Sequence, residues 1–188
     1  MFRSATQRGM VCAAALCCAA HLNAQELDTH IHAFCRSVFG PSAQTAPLAL
    51  AATNLTVTAV TLDGQPAGWV FRTDQVPPAC KGKRGQIAIL VALDTRAQIK
   101  EVSLLSHKED MKYFGRIKKA FYAQFSGRHA ASDYSQIDAV TQATLSSRAI
   151  IRDIMEGSRN VAALPEIASL LTDGPPLLGD LVTKTPAP

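Results

Sequence analysis

The chain has 188 residues, of which 47% are hydrophobic and 18% are charged, which is enough for one domain with a proper core. Its five cysteines form no Cys-x-x-Cys-His haem motif and no multi-cysteine run for an iron–sulfur cluster. The formal net charge of +4 at pH 7 is too small to indicate nucleic acid as the main partner. Any redox chemistry must therefore come from a cofactor of another kind.

Residues 1–24 predict a secretory signal peptide, with Arg3 and Arg8 at its positive start and a cleavage point after Ala24. Its apolar run, Met10–Ala20, is too short for a comfortable membrane span. We therefore expect a soluble periplasmic protein, and the alternative is an uncleaved signal that anchors the chain in the membrane. Cleavage removes two of the 19 Lys and Arg residues and none of the 15 Asp and Glu residues, which leaves a net charge of +2.

Two cysteines, Cys35 and Cys80, remain after this cleavage. In an oxidising compartment they are candidates for a disulfide, although the sequence does not fix the distance between them.

Residues 25–52 are predicted to form an N-terminal helix and a linker. The helix, Glu26–Phe39, is amphipathic. The linker, Gly40–Ala52, is rich in small residues and contains prolines.

The main domain, predicted over residues 53–160, begins with an antiparallel hairpin. Leu55–Leu62 alternates as a strand, Asp63-Gly64 is a hairpin turn, and Ala67–Thr73 is the returning strand. The second strand directs two aromatic residues to one face, where we expect them in the core: Trp69 and Phe71.

Two more strands follow a loop at Gln75–Gly85. Gln86–Asp94 is almost continuously apolar and is the most buried strand that the pattern predicts, and Ile99–Ser106 is the fourth strand. The sequence therefore predicts a single α+β domain in which helices flank an antiparallel sheet.

Helical patterns follow the strands. Tyr113–Phe125 is predicted as one amphipathic helix, and Leu164–Leu171 as another. The apolar face of the first is formed by Phe114, Ile117, Phe121 and Phe125. Residues 161–188 are interpreted as a C-terminal extension, in which Pro-rich Gly174–Pro188 is loosely ordered.

A hydroxyl-rich segment, Asp138–Arg148, runs directly into a helical apolar pattern that continues to Met155. Three side chains there are suited to cap the start of this helix: Thr144, Ser146 and Ser147. The first turn of a helix also presents unpaired N–H groups and the positive end of the helix dipole, which suit a phosphate. Two interpretations stand at this point, a capped junction between loop and helix or a phosphate site.

The run Asp138-x-x-Thr141-x-Ala143-Thr144-x-Ser146 resembles the signature of the periplasmic FMN-binding domain family, Asp-x-x-Ser/Thr-Gly-Ala-Thr-x-Ser/Thr. This family includes domains of the Rnf and sodium-pumping quinone reductase complexes and the N-terminal part of the nitrous-oxide respiration regulator NosR. In such domains the threonine after alanine carries FMN through a phosphoester bond, which a flavin transferase installs from FAD. The resemblance implies this role for Thr144. Gln142 replaces the usual glycine, where a side chain crowds the approach to the phosphate or hinders the transferase.

The resemblance to the NosR-type domain covers roughly Leu55 to Met155. It includes Gly68-Trp-Val-Phe71, Lys81-Gly82-Lys83, Ile89–Asp94, His107-Lys-Glu109 and Phe114-Gly115. The cofactor-binding residues that it implies are Asp138, Thr141, Ala143, Thr144, Leu145, Ser146, Ser147, Gly82, Lys83, His107 and Glu109.

Two parts of this set keep a second interpretation. The Lys81–Arg84 loop is either an exposed charged loop or a glycine loop that brings a cation close to the flavin. His107 and Glu109 are either a polar strand end or residues that line the flavin edge and handle its proton.

The function that the resemblance implies is an exported FMN-binding electron carrier. Its partners would be the flavin transferase and a membrane or periplasmic redox protein, with no nucleic acid. No catalytic triad accompanies these residues, which favours a carrier over an enzyme. The alternatives are a periplasmic flavin-dependent reductase and a flavin-free regulatory or assembly module of a respiratory system, which Gln142 favours.

Overall fold

The computed structural model describes residues 25–50 and 55–172. The predicted signal peptide, the last part of the predicted linker and the Pro-rich segment Gly174–Pro188 lie outside the described residues. The described helices are too short or too polar to cross a membrane.

Five antiparallel strands form one sheet, in which every strand pairs with its neighbour in the sequence. The strands are β1 (Gln44–Leu48), β2 (Val57–Leu62), β3 (Gln65–Arg72), β4 (Ile87–Asp94) and β5 (Ile99–His107). The helices are α1 (25–39), α2 (Met111–Phe114), α3 (Lys119–Ala123), α4 (Thr144–Ala162) and α5 (Pro165–Ala168). The antiparallel α+β prediction is confirmed.

Strand β1 corrects the prediction that Gly40–Ala52 is only a linker. It pairs with β2, with Thr45 opposite Val60 and Leu48 opposite Val57. Because β1 is an edge strand, Pro47 can be accommodated within it although proline cannot donate a backbone hydrogen bond. A hydrogen bond between Thr45 and His32 also joins β1 to α1.

The hairpin between β2 and β3 forms as predicted. Asp63 and Gly64 both have positive φ, at 51° and 78°, as a type I′ turn requires. Such a turn matches the right-handed twist of its two strands. The observed strands differ from the predicted ones by one or two residues at their ends.

Strand β4 is the most buried strand, as predicted, because both faces of the sheet are covered. Its residues 87–93 are all buried. One face packs against α2–α5 and contains Trp69 and Phe71, each only 1% exposed. The other face packs against α1 through Phe34 and Val70. A strand between two apolar layers reads as a continuous apolar run rather than an alternating one.

The two cysteines are free and belong to different parts of the fold. Cys35 lies in the apolar cluster on the α1 face, whereas Cys80 follows β3 and donates its backbone N–H to Asp153 of α4. Burial raises the pKa of both thiols to about 11. The suggested disulfide is therefore not formed.

The prediction of a single helix at Tyr113–Phe125 is wrong, because the chain forms two short helices there. Asp110 caps the start of α2, and Gly115 is the residue that directly follows its end. Lys118 has an extended backbone, with φ −100° and ψ 173°, which separates α2 from α3. The predicted apolar face is nevertheless buried throughout: Phe114, Ile117, Phe121 and Phe125.

The packed structure continues past residue 160, where the domain was predicted to end. Helix α4 continues to Ala162, and the predicted helix Leu164–Leu171 is reduced to α5. Ile167 and Leu171 are buried in the main core. Residues 161–172 therefore contribute side chains to the main core.

Candidate functional site

A cleft of about 380 Å³ lies at the N-terminal end of α4. Three segments form it: the loop that precedes β4, the start of α2, and the junction that leads into α4. Its lining residues are Lys83, Arg84, Glu109, Asp110, Tyr113, Gln142, Ala143, Thr144, Leu145 and Ser146. This volume is within the range of small-molecule sites in proteins.

No side chain in the described part of the chain caps the start of α4, so the predicted capping by its hydroxyls is wrong. Ser147 instead stabilises the preceding loop: its hydroxyl donates to the carbonyl of Ala143 and accepts the N–H of Val140, both at 3.0 Å. The N–H groups of residues 144–146 have no hydrogen-bond partner among the described residues. They leave the positive end of a 19-residue helix available to an anion in the cleft.

Glu109 joins the loop before β4 to this helix start. Its carboxylate accepts the N–H of Arg84 at 2.6 Å, the N–H of Lys83 at 3.2 Å and the hydroxyl of Ser146 at 2.6 Å. The side chain is buried, and burial alone raises the pKa of a carboxyl group. The hydrogen bonds, led by that from Ser146, outweigh burial and hold the pKa of Glu109 below its usual value. The carboxylate is therefore ionised at neutral pH.

The loop that Glu109 holds requires a glycine at position 82. A Cβ atom there would lie 2.8 Å from the Oε1 atom of Glu109 and 2.9 Å from Ile87. Gly82 also donates its N–H to the carbonyl of Gly85 at 2.8 Å, which closes the loop. Gly82 thus serves the packing of Glu109 and does not itself line the cleft.

The charged side chains of the cleft are partly paired. Arg84 forms a solvent-exposed ion pair with Asp110, 3.6 Å apart. Lys83 has no carboxylate partner within the described residues, and its ammonium lies 5.9 Å from the centre of the Tyr113 ring. Lys83 is therefore the cation most available to a bound phosphate.

His107 does not line the cleft but contacts the backbone of Glu109. Its Nδ1 atom accepts the N–H of Glu109 at 3.1 Å, and its ring stacks on Phe114 with centroids 3.8 Å apart. It faces a separate groove on the other side of the loop before β4, together with Gly82 and Lys83.

The predicted site residues fall into two groups. The cleft brings together Lys83, Glu109, Ala143, Thr144, Leu145 and Ser146. The residues that do not line it are Gly82, His107, Asp138, Thr141 and Ser147. Asp138 and Thr141 are exposed on the preceding loop, and the backbone of Asp138 is bound to Gln124. Ser147 is fully buried.

Sequence reasoning did not assign three cleft residues, Arg84, Asp110 and Tyr113. Asp110 had a local signal, because an aspartate directly before a helical pattern favours an N-cap. Tyr113 also had one, because it lies outside the apolar spacing of Phe114, Ile117 and Phe121, and the structure leaves its side chain 41% exposed.

Gln142, which was noted only as a departure from a motif, also lines the cleft. Its φ of +67° is a left-handed conformation that glycine adopts freely and glutamine adopts with strain.

The protein is an α+β domain whose cleft combines free N–H groups and a cation with exposed apolar side chains, a combination that suits a phosphate-bearing molecule with an apolar part. Residues 82–156 match the model of the FMN-binding domain family, so this part of the chain is an FMN-binding domain and its cofactor is FMN. None of the curated proteins that were compared with the chain matches it.

The residues present suit this cofactor. The free N–H groups of α4 and Lys83 are suited to a phosphate, and Tyr113 and Leu145 offer apolar surface to a flat ring. The family match also contains the complete cleft.

Proposed function

We propose that the chain is an exported FMN-binding electron-transfer protein whose flavin is attached through a phosphoester bond to Thr144. The observation that carries the attachment site is the position of the four hydroxyls at residues 141–147. Ser146 is buried and donates to Glu109, Ser147 is fully buried, and Thr141 lies outside the cleft. Thr144 lines the cleft, is partly exposed, and makes only a long hydrogen bond of 3.4 Å to the carbonyl of Val140.

The attachment would be a transfer from FAD catalysed by a flavin transferase. The Oγ atom of Thr144 forms a bond to the FMN phosphorus while the bond from that phosphorus to AMP breaks. AMP leaves with the electron pair, and the threonine proton is lost to solvent or to the transferase. The N–H groups at the start of α4 and the ammonium of Lys83 would hold the phosphate during and after this transfer.

Electron transfer is the use of the cofactor that this site favours. When bound, FMN supplies reversible one- and two-electron redox chemistry. Tyr113 and Leu145 line the cleft and are exposed to solvent, so a redox protein in the membrane or the periplasm could contact this surface. Export rests on the Arg-containing apolar segment at residues 1–24.

The direct test is the intact mass of the full chain, produced for export in cells with and without a flavin transferase. We expect a mass increase equal to FMN less one water, only with the transferase, on a chain that begins at Gln25. Thr144→Ala should carry no adduct, whereas the control Thr141→Ala should be fully modified. A yellow wild-type protein that loses its colour on denaturation would contradict the phosphoester bond. A mature mass that retains residues 1–24 would contradict cleavage of the signal.

The electron-transfer function is tested on the loaded protein by spectroelectrochemical titration. We expect complete, reversible reduction and reoxidation of the bound flavin, and the reduced protein should deliver no more than its two stored electrons to a small acceptor. Continuous turnover of a small acceptor would identify a reductase instead.

A further inference from the structure

Most of the exposed large hydrophobic side chains in the described part of the chain gather at one place. The exposed large hydrophobic side chains of this part are Met111 (66% exposed), Tyr113 (41%), Leu145 (68%) and Leu170 (48%). Tyr113 and Leu145 line the cleft, and Met111 lies in α2 two residues before Tyr113. Three of the four therefore lie in or next to the segments that form one cleft.

Exposed apolar groups that cluster beside a cleft mark a surface that a ligand or partner covers. The cleft also has a polar part, formed by the N–H groups at the start of α4 and by Lys83. A ligand that matches both parts carries a phosphate at one end and a flat apolar ring at the other. Among the described residues, Tyr113 is the only aromatic one that lines the cleft.

We propose that Tyr113 is the surface on which the isoalloxazine ring of FMN lies, with Leu145 and Met111 completing the apolar contact. The proposal rests on FMN occupying the cleft, as in the proposed function. The ammonium groups of Lys83 and Lys112 lie 5.9 and 5.6 Å from the centre of the Tyr113 ring, within cation–π range.

The first test uses the full chain made without a transferase and titrated with free FMN. Replacing an aromatic platform by alanine removes a stacking interaction of about 1–3 kcal/mol, so Tyr113→Ala should bind FMN about 5- to 150-fold more weakly. Tyr113→Phe keeps the ring and should bind nearly as well as wild type. Leu170→Ala, at an exposed site that does not line the cleft, is the matched control and should not change the affinity. Because Tyr113 is exposed, its variants should retain the wild-type midpoint of thermal unfolding.

The second test uses flavin fluorescence of the transferase-loaded protein, compared before and after denaturation. A phenol or indole in contact with the ring quenches the excited flavin by donating an electron to it, and a benzene ring does so far less. We expect quenched flavin in wild type and in Tyr113→Trp, and brighter flavin in Tyr113→Ala and Tyr113→Phe. All four should carry the same mass adduct, because the attachment is at Thr144.

The outcomes separate the two proposals. Full adduct with equal fluorescence in wild type, Tyr113→Ala and Tyr113→Phe would overturn the ring contact and leave the proposed attachment intact. Loss of FMN affinity in Tyr113→Ala without any adduct in wild type would support the ring contact and overturn the phosphoester bond. A wild-type protein that neither binds FMN nor accepts an adduct would overturn both.

Discussion

The buried carboxylate of Glu109 should be one of the largest single contributors to the stability of the cleft. Glu109→Ala leaves three hydrogen-bond donors without their acceptor: the N–H groups of Lys83 and Arg84 and the hydroxyl of Ser146. Hydrogen bonds to charged groups contribute about 1.5–3 kcal/mol each, but water in the open cleft can replace part of this. We therefore expect the free energy of unfolding to fall by about 3–5 kcal/mol in total.

For a chain of this length, 1 kcal/mol corresponds to about 2–4 °C in the unfolding midpoint, so Glu109→Ala should lower the midpoint by about 6–20 °C. Thermal unfolding followed by circular dichroism measures the change. Glu109→Gln keeps one acceptor oxygen and should lose less stability. Glu101→Ala, which removes an exposed glutamate from β5, is the control and should change the midpoint very little.

The pH dependence gives an independent test of the same interaction. Burial raises the pKa of Glu109, but the hydrogen bonds from Ser146, Arg84 and Lys83 lower it by more, so the folded pKa is below the unfolded one. The group therefore contributes stability above its unfolded pKa, and this contribution is lost as the pH falls through the folded pKa. The stability gap between wild type and Glu109→Gln should be constant near neutrality and narrow in acid. A gap that does not change with pH, or an alanine variant as stable as Glu101→Ala, would refute this account of Glu109.

Two further substitutions test strain and burial elsewhere. Gln142→Gly should relieve the left-handed backbone at φ +67° and stabilise the fold by about 0.5–1 kcal/mol, seen as a higher unfolding midpoint. An unchanged or lower midpoint would contradict the strain. Burial raises the pKa of Asp153 from 3.8 to about 6, so its stability contribution is present below pH 3.8 and is lost as the pH rises through 6. Between pH 4 and pH 7.5, the free energy of unfolding measured in urea should fall by about 3 kcal/mol more in wild type than in Asp153→Asn. The same pH dependence of this free energy in both proteins would contradict the prediction.

The parts of the fold that local patterns determine could be predicted from the sequence. The unbroken apolar run of β4 and the Asp63-Gly64 turn each identify their own structure. Strand β1 could not be predicted, because it is a half-exposed edge strand with Pro47 and its identity depends on pairing with β2. The break between α2 and α3 was missed because the apolar spacing of the buried face continues across Gly115.

The site shows the same division between local and long-range information. Thr144 could be located from its own segment, since the motif and the helix that follows it are adjacent in sequence. The link between Glu109 and Ser146 spans 37 residues and exists only in the folded chain. The position of Tyr113 in the cleft depends on the fold, because α2 brings it close to the start of α4, which lies about thirty residues further along the chain.

The central claim, that Thr144 carries the flavin, is tested most directly by locating the adduct in a tryptic peptide. Cleavage after Arg128 and Arg148 releases residues 129–148, which contain Thr141, Thr144, Ser146 and Ser147. Tandem mass spectrometry of this peptide from the transferase-loaded protein should place the FMN phosphate on Thr144. Fragments that place it on Thr141, Ser146 or Ser147, or a peptide that is unmodified, would contradict the account.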